Sequence, residues 1–184
     1  MTKFTVFAIR FLRAIEISIQ GYRPLGFAFG YMRFFGDMSG IVRFPDYDPY
    51  RLLHRHTIGL TALARTEVLE ATGGFDEAFA HFEDWELWIN ALAHGYEGRR
   101  VPLVALDYRR HDGTKFGRDR PHYAAAWAAL QRKHAGLYAQ RDAFAARSSM
   151  GPAARALYRF YWGPRPVPGA IEGALHRVLW RPRR

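Results

Sequence analysis

Residues 66–98 hold eight acidic residues and no Lys or Arg, in a chain of 184 residues whose formal net charge is +10. Gathering carboxylates costs free energy through like-charge repulsion, so such a cluster is expected to handle a cation, a proton or polar hydroxyls. The pattern inside it is helical. Counting back from Gly95, which stops a helix, Leu92, Ile89, Trp88 and Trp85 fall on one apolar face. Asp84 then stands at the helix start, where a carboxylate caps free backbone N–H groups and the helix dipole favours its anionic form. A carboxylate held there is suited to act as a general base, and equally to serve only as a cap.

The flanking chain supplies the frame. Residues 66–71 predict one or two helical turns with Thr66 as cap, ended by Gly73 and Gly74. Paired glycines permit positive φ and close approach of backbone to a ligand; a plain C-cap turn has the same sequence signature. Residues 25–35 and 57–65 read as strands, 41–44 as a short extended piece and 49–53 as a short helix. Residues 99–108 read as a strand pair or a bent strand interrupted by Pro102. That strand delivers Arg109, Arg110 and His111 to its end, a set suited to a diphosphate, and residues 112–117 would follow as a lid. Residues 122–147 carry a helical stripe of Tyr123, Trp127, Leu130, His134, Leu137 and Tyr138, broken at 148–152. Two short amphipathic segments, 153–162 and 171–180, flank a rigid linker at 163–169. Residues 4–19 read as a packing or surface helix, too short and too charged to cross a bilayer.

Taken in order, Ala71-Thr72-Gly73-Gly74-Phe75-Asp76-Glu77, then Phe82-Glu83-Asp84-Trp85-Glu86-Leu87-Trp88, then Leu106-Asp107-Tyr108-Arg109-Arg110-His111 resemble the second half of a family-2-type glycosyltransferase with the GT-A fold. The resemblance runs from about residue 27 to residue 111 and more loosely onward. It implies an α/β fold, a partial GT-A (nucleotide-diphospho-sugar transferase-like) mixed sheet with flanking helices and a C-terminal helical extension. The expected parts are an N-terminal helix at 1–24, an acceptor-side catalytic half at 25–117 and an Arg-rich helical extension at 118–184. The implied activity is transfer of a sugar from a nucleotide-sugar donor to a hydroxyl on a glycan or lipid-linked acceptor. By the same resemblance Asp84 is the base, with Glu83 beside it. Gly73, Gly74, Asp76, Glu77 and Trp85 line the acceptor side, Arg109 meets the diphosphate, and His111 helps hold Mn²⁺ or Mg²⁺.

The departure from that family is as informative. A complete enzyme opens with a nucleotide-binding βαβα half ending in Asp-x-Asp at a strand terminus, whereas the first Asp here is Asp37. Asp46-Tyr47-Asp48 has the letters, but Pro45 and Pro49 bracket it in a turn-like run. The expectation is therefore a chain without its donor half, weak or inactive alone.

The absence of cysteine excludes disulfides and thiolate metal sites. Of 17 acidic residues nine lie outside 66–98, against all 27 Lys and Arg, and residues 151–184 hold seven Arg against Glu172 alone. Such a tail suits an anionic membrane surface or a phosphate-rich ligand, or is simply an Arg-rich surface. A cytoplasmic bacterial protein, peripheral on the inner membrane face, is the matching expectation. Nucleic acid is not expected, because no recognition module accompanies the charge. Two rival readings remain at this level. One is a non-catalytic fragment that binds saccharide or a partner chain. The other is a metal-dependent hydrolase using His54, His56, Asp84 and His111, with His54 and His56 on one face of a strand.

Overall fold

In the computed structural model, residues 25–37, 39–58, 61–111 and 122–161 are described. The expected helix at 4–19, the lid at 112–117, the linker at 163–169 and the segment 171–180 lie outside them.

The sheet is built on β1 (Leu25–Gly36), whose first six residues are all buried. A strand covered on both faces and both edges must be apolar throughout, and Leu25-Gly26-Phe27-Ala28-Phe29-Gly30 is. The remaining strands are β2 (Gly40–Val42), β3 (Ala62–Ala64) and β4 (Glu97–Arg110). β2 and β3 pair antiparallel with the second and first halves of β1 along one edge, while β4 runs parallel along the other. The mixed α/β class is thus present, and the expected bent strand at 99–108 is the single strand β4. Its register against β1 slips between Phe29↔Arg100 and Tyr31↔Val104, so Pro102, which has no N–H to give, stands where the ladder is broken. Of the expected strand at 57–65, only Ala62–Ala64 is a strand among the described residues.

Seven helices are described: α1 (Pro49–His54), α2 (Thr66–Thr72), α3 (Glu83–Ala93), α4 (Tyr123–Lys133), α5 (Ala135–Ala139), α6 (Arg141–Arg147) and α7 (Pro152–Tyr161). Phe27 and Phe29 point to the helical side and Ala28 to the other, as strand alternation requires. Trp88 of α3 stacks on Phe27 with ring centroids 4.3 Å apart. Around this contact Leu52, Leu53, Val68, Trp85, Leu87, Ile89, Leu130 and Tyr138 close one core. Of the helices expected in the extension, α7 packs its Tyr158 with Tyr50 and Met150 in a second cluster, while α4 and α5 add Leu130 and Tyr138 to that same core. Their side-chain donors bind the open end of α1: Trp127 Nε1 and Tyr138 Oη donate to the Leu53 carbonyl, at 3.3 and 2.9 Å, and Tyr123 Oη donates to that of His54 at 2.8 Å. The unmet carbonyls of a helix C-terminus are thereby satisfied by three aromatic side chains.

α1 is started by Asp48, whose Oδ1 accepts from Arg51 N–H, with Pro49 in the first turn. Asp48 Oδ2 accepts from Ser148 Oγ at 2.7 Å and Ser149 N–H at 3.2 Å, which fixes the α6–α7 corner to α1. Asp46 instead pairs with Arg100. Each acid of the Asp-x-Asp letters thus has protein partners. No helix among the described residues is long and apolar enough to cross a membrane.

Candidate active site

α3 begins at Glu83, and the residue before it, Phe82, has a left-handed backbone at φ 61°, ψ 30°. Phe82 is the one non-glycine residue with positive φ among the described residues. A bulky side chain held there costs of order 1 kcal/mol and is tolerated only where packing dictates it. The packing is aromatic: Phe82 meets Trp85 and Tyr123 edge-on, at 6.0 and 5.7 Å. Asp84 is accordingly not the cap but the second residue of the helix. Its Oδ1 accepts from the Trp85 N–H at 2.9 Å, and its Oδ2 faces His56 Nε2 at 3.5 Å. The two side chains are only 16% and 19% exposed.

Trp85, expected on the acceptor side, is instead wholly buried. Its Nε1–H donates to the Leu52 carbonyl at 2.8 Å, and its ring stacks on Tyr123. Glu86 is buried too, and accepts from Lys133 Nζ at 2.7 Å and His134 Nε2 at 2.8 Å. Burial pushes the Glu86 carboxyl up, but the hydrogen bonds from His134 and Lys133 outweigh it and hold the group below the usual range. Lys133 also donates to Asp76 Oδ2 at 2.7 Å, and this bond lowers the Asp76 carboxyl as well. One ammonium therefore ties the loop after the glycine pair to the first turn of α3.

Gly73 and Gly74 both take positive φ, at +74° and +79°. Nothing lies within 4 Å of where a Cβ would stand at either, so backbone sign, rather than close approach, requires glycine here. Gly73 is the left-handed C-cap of α2; the expected Thr66 cap is not made, since Arg65 occupies the N-cap position and makes no side-chain cap bond. Glu77 is exposed, and Phe75 next to the turn is 59% exposed.

The strand tip lies elsewhere. Arg109 is exposed and pairs in register with Phe35, whereas α3 packs on Phe27. Those residues are eight apart on β1, a separation on the order of 25 Å along the strand. The register thus sets Arg109 at the other end of β1 from the ring that Trp88 stacks on. His54 is not on a strand with His56: it ends α1, is buried, and bonds through Nδ1 to the Tyr50 carbonyl at 2.9 Å. Burial lowers its pKa and favours the neutral ring. Among the described residues no three His, Cys, Asp or Glu side chains gather as a metal would need.

Spacing did not reveal Lys133 and His134 as partners of the acidic segment. Both stand far from that segment in sequence. The available signal was Glu86, a lone acid inside the apolar run Trp85 to Ile89, which demands a buried partner. No family model matches the chain, and no curated protein matches it.

Proposed function

We propose that the chain is the acceptor-side part of a glycosyltransferase that moves a sugar from a nucleotide-activated donor to a hydroxyl, with Asp84 as the general base. The observation that supports this reading is the placing of Asp84: one oxygen is held by a backbone N–H in the first turn of α3, while the other is left toward His56 in a largely buried position. In the reaction the acceptor hydroxyl oxygen forms the new bond to the anomeric carbon, its proton passes to Asp84, and the nucleoside diphosphate departs with the electrons of the broken bond. Phe75, Asp76 and Glu77, on the loop that Lys133 ties to α3, would contact acceptor hydroxyls and ring faces. No step is assigned to a metal.

The reading is tested in an enzyme reconstituted from the chain and a nucleotide-binding half, incubated with uridine, guanosine and thymidine diphosphate sugars and a panel of glycan acceptors. Asp84→Asn should reduce transfer by about 10²- to 10⁴-fold, with acceptor binding retained in saturation-transfer NMR. Full turnover in that variant removes Asp84 from the role. Saccharide binding by the chain, with no transfer in the reconstituted enzyme, replaces the transferase with a binding module.

A further inference from the structure

We infer that His56 is the positioning residue of Asp84, orienting its carboxylate through Nε2; the inference rests on the reading of Asp84 as the base. Asp84 Oδ1 already accepts from the Trp85 N–H at 2.9 Å, so only Oδ2 is left to be oriented, and it faces His56 Nε2 at 3.5 Å. That nitrogen is buried and makes no hydrogen bond among the described residues. Burying a polar atom without a partner costs about 1–3 kcal/mol, so the nearby carboxylate is the group that offsets this cost. A carboxylate opposite Nε2 selects the tautomer with the proton on that nitrogen.

The ring is held in place by the core. His56 lies 6.3 Å from Trp85 with 21° between the ring planes. Trp85 is itself fixed by its bond to the Leu52 carbonyl and its stack on Tyr123 at 5.3 Å. The imidazole is thereby carried on a rigid aromatic stack. At 3.5 Å the contact is longer than a formed hydrogen bond, and such contacts tighten when substrate closes the site. His56 touches no reacting atom in this arrangement. It restricts rotation of the carboxylate, so that the free lone pair of Asp84 meets the acceptor hydroxyl.

The experiment uses the full chain and the variants His56→Ala, His56→Gln, His56→Asn and Asp84→Asn. The amide nitrogen of Gln reaches the place of Nε2, and that of Asn does not. The expected result is a fall in kcat of about ten- to a hundredfold for Ala and Asn, with acceptor KM changed less than about twofold and most of kcat restored by Gln. An unchanged kcat in Ala, or equal activity of Gln and Asn, overturns the inference. Should Ala fail to fold, the Gln and Asn pair decides. Loss of transfer in Asp84→Asn with full activity in the His56 variants sinks this inference and leaves the transferase reading standing. If the wild type transfers nothing even when reconstituted with a nucleotide-binding half, that reading fails by itself, and the carboxyl ¹³C shift of Asp84 still decides: it should move in His56→Ala and return in His56→Gln, and an unmoved shift overturns the pairing.

Discussion

Glu86 and His134 meet at 2.8 Å inside the core, Nε2 donating to Oε1. Lys133 brings its ammonium to 2.7 Å of the same oxygen and to 2.7 Å of Asp76. This cluster joins α3, the loop after the glycine pair and the α4–α5 junction. Removing its centre should leave a partly buried cation and a buried imidazole without an acceptor. Glu86→Ala is expected to cost about 2–4 kcal/mol, and Glu86→Gln about half that, read from urea unfolding midpoints. A cost below about 0.5 kcal/mol for Ala would show that the cluster contributes nothing net.

The same cluster predicts the acid limb of stability. Glu86 and Asp76 both titrate below their usual values in the folded state. A carboxyl whose folded pKa is depressed adds stability above its unfolded pKa and loses it as pH falls through the folded one. Melting temperature should therefore drop steeply below about pH 4, the ordinary carboxylate range. Glu86→Gln should flatten that drop. Thermal scans between neutral pH and pH 3 measure it, and parallel curves for the two proteins would contradict the assignment.

Two glycines should fail for different reasons. Gly73 needs its φ of +74° and has open space around it, so Gly73→Ala should cost about 1 kcal/mol, the backbone term alone. A Cβ on Gly98 would run into the Phe27 ring and come within 2.9 Å of Tyr47 Cδ2. Because Phe27 is clamped by Trp88, it cannot swing away, and Gly98→Ala should cost about 2–3 kcal/mol. Chemical denaturation of both variants gives the ranking, and an equal cost would mean that Phe27 yields.

Asp48 should behave as a structural acid. Its carboxylate starts α1 and takes hydrogen bonds from Ser148 and Ser149. Asp48→Ala is expected to cost about 2–3 kcal/mol and to raise amide hydrogen exchange in both α1 and α7. Exchange confined to α1 would show that the α6–α7 corner is held by its apolar contacts alone.

What the sequence made legible were features set by neighbours along the chain. The apolar spacing from Trp85 to Leu92 placed α3 ahead of Gly95, and the glycine pair announced positive φ. The bulk of residues 25–35 marked a buried strand, and Pro102 a break in β4. Each follows from steric preferences over one to four residues. Asp84 does take a free backbone N–H at the helix start, but as the second residue of α3, after a left-handed Phe82 that packs on Trp85 and Tyr123.

Tertiary structure decided which of those features face one another. The parallel pairing of β1 with β4 sets Arg109 opposite Phe35, at the other end of β1 from Phe27 and Trp88. It also set His56 opposite Asp84, and Lys133 and His134 around Glu86. Residue spacing fixes which side chains share a face of one helix or strand, since those positions are set by the local backbone. Which faces then meet depends on how the whole apolar set closes into one core, and that is a property of no single segment.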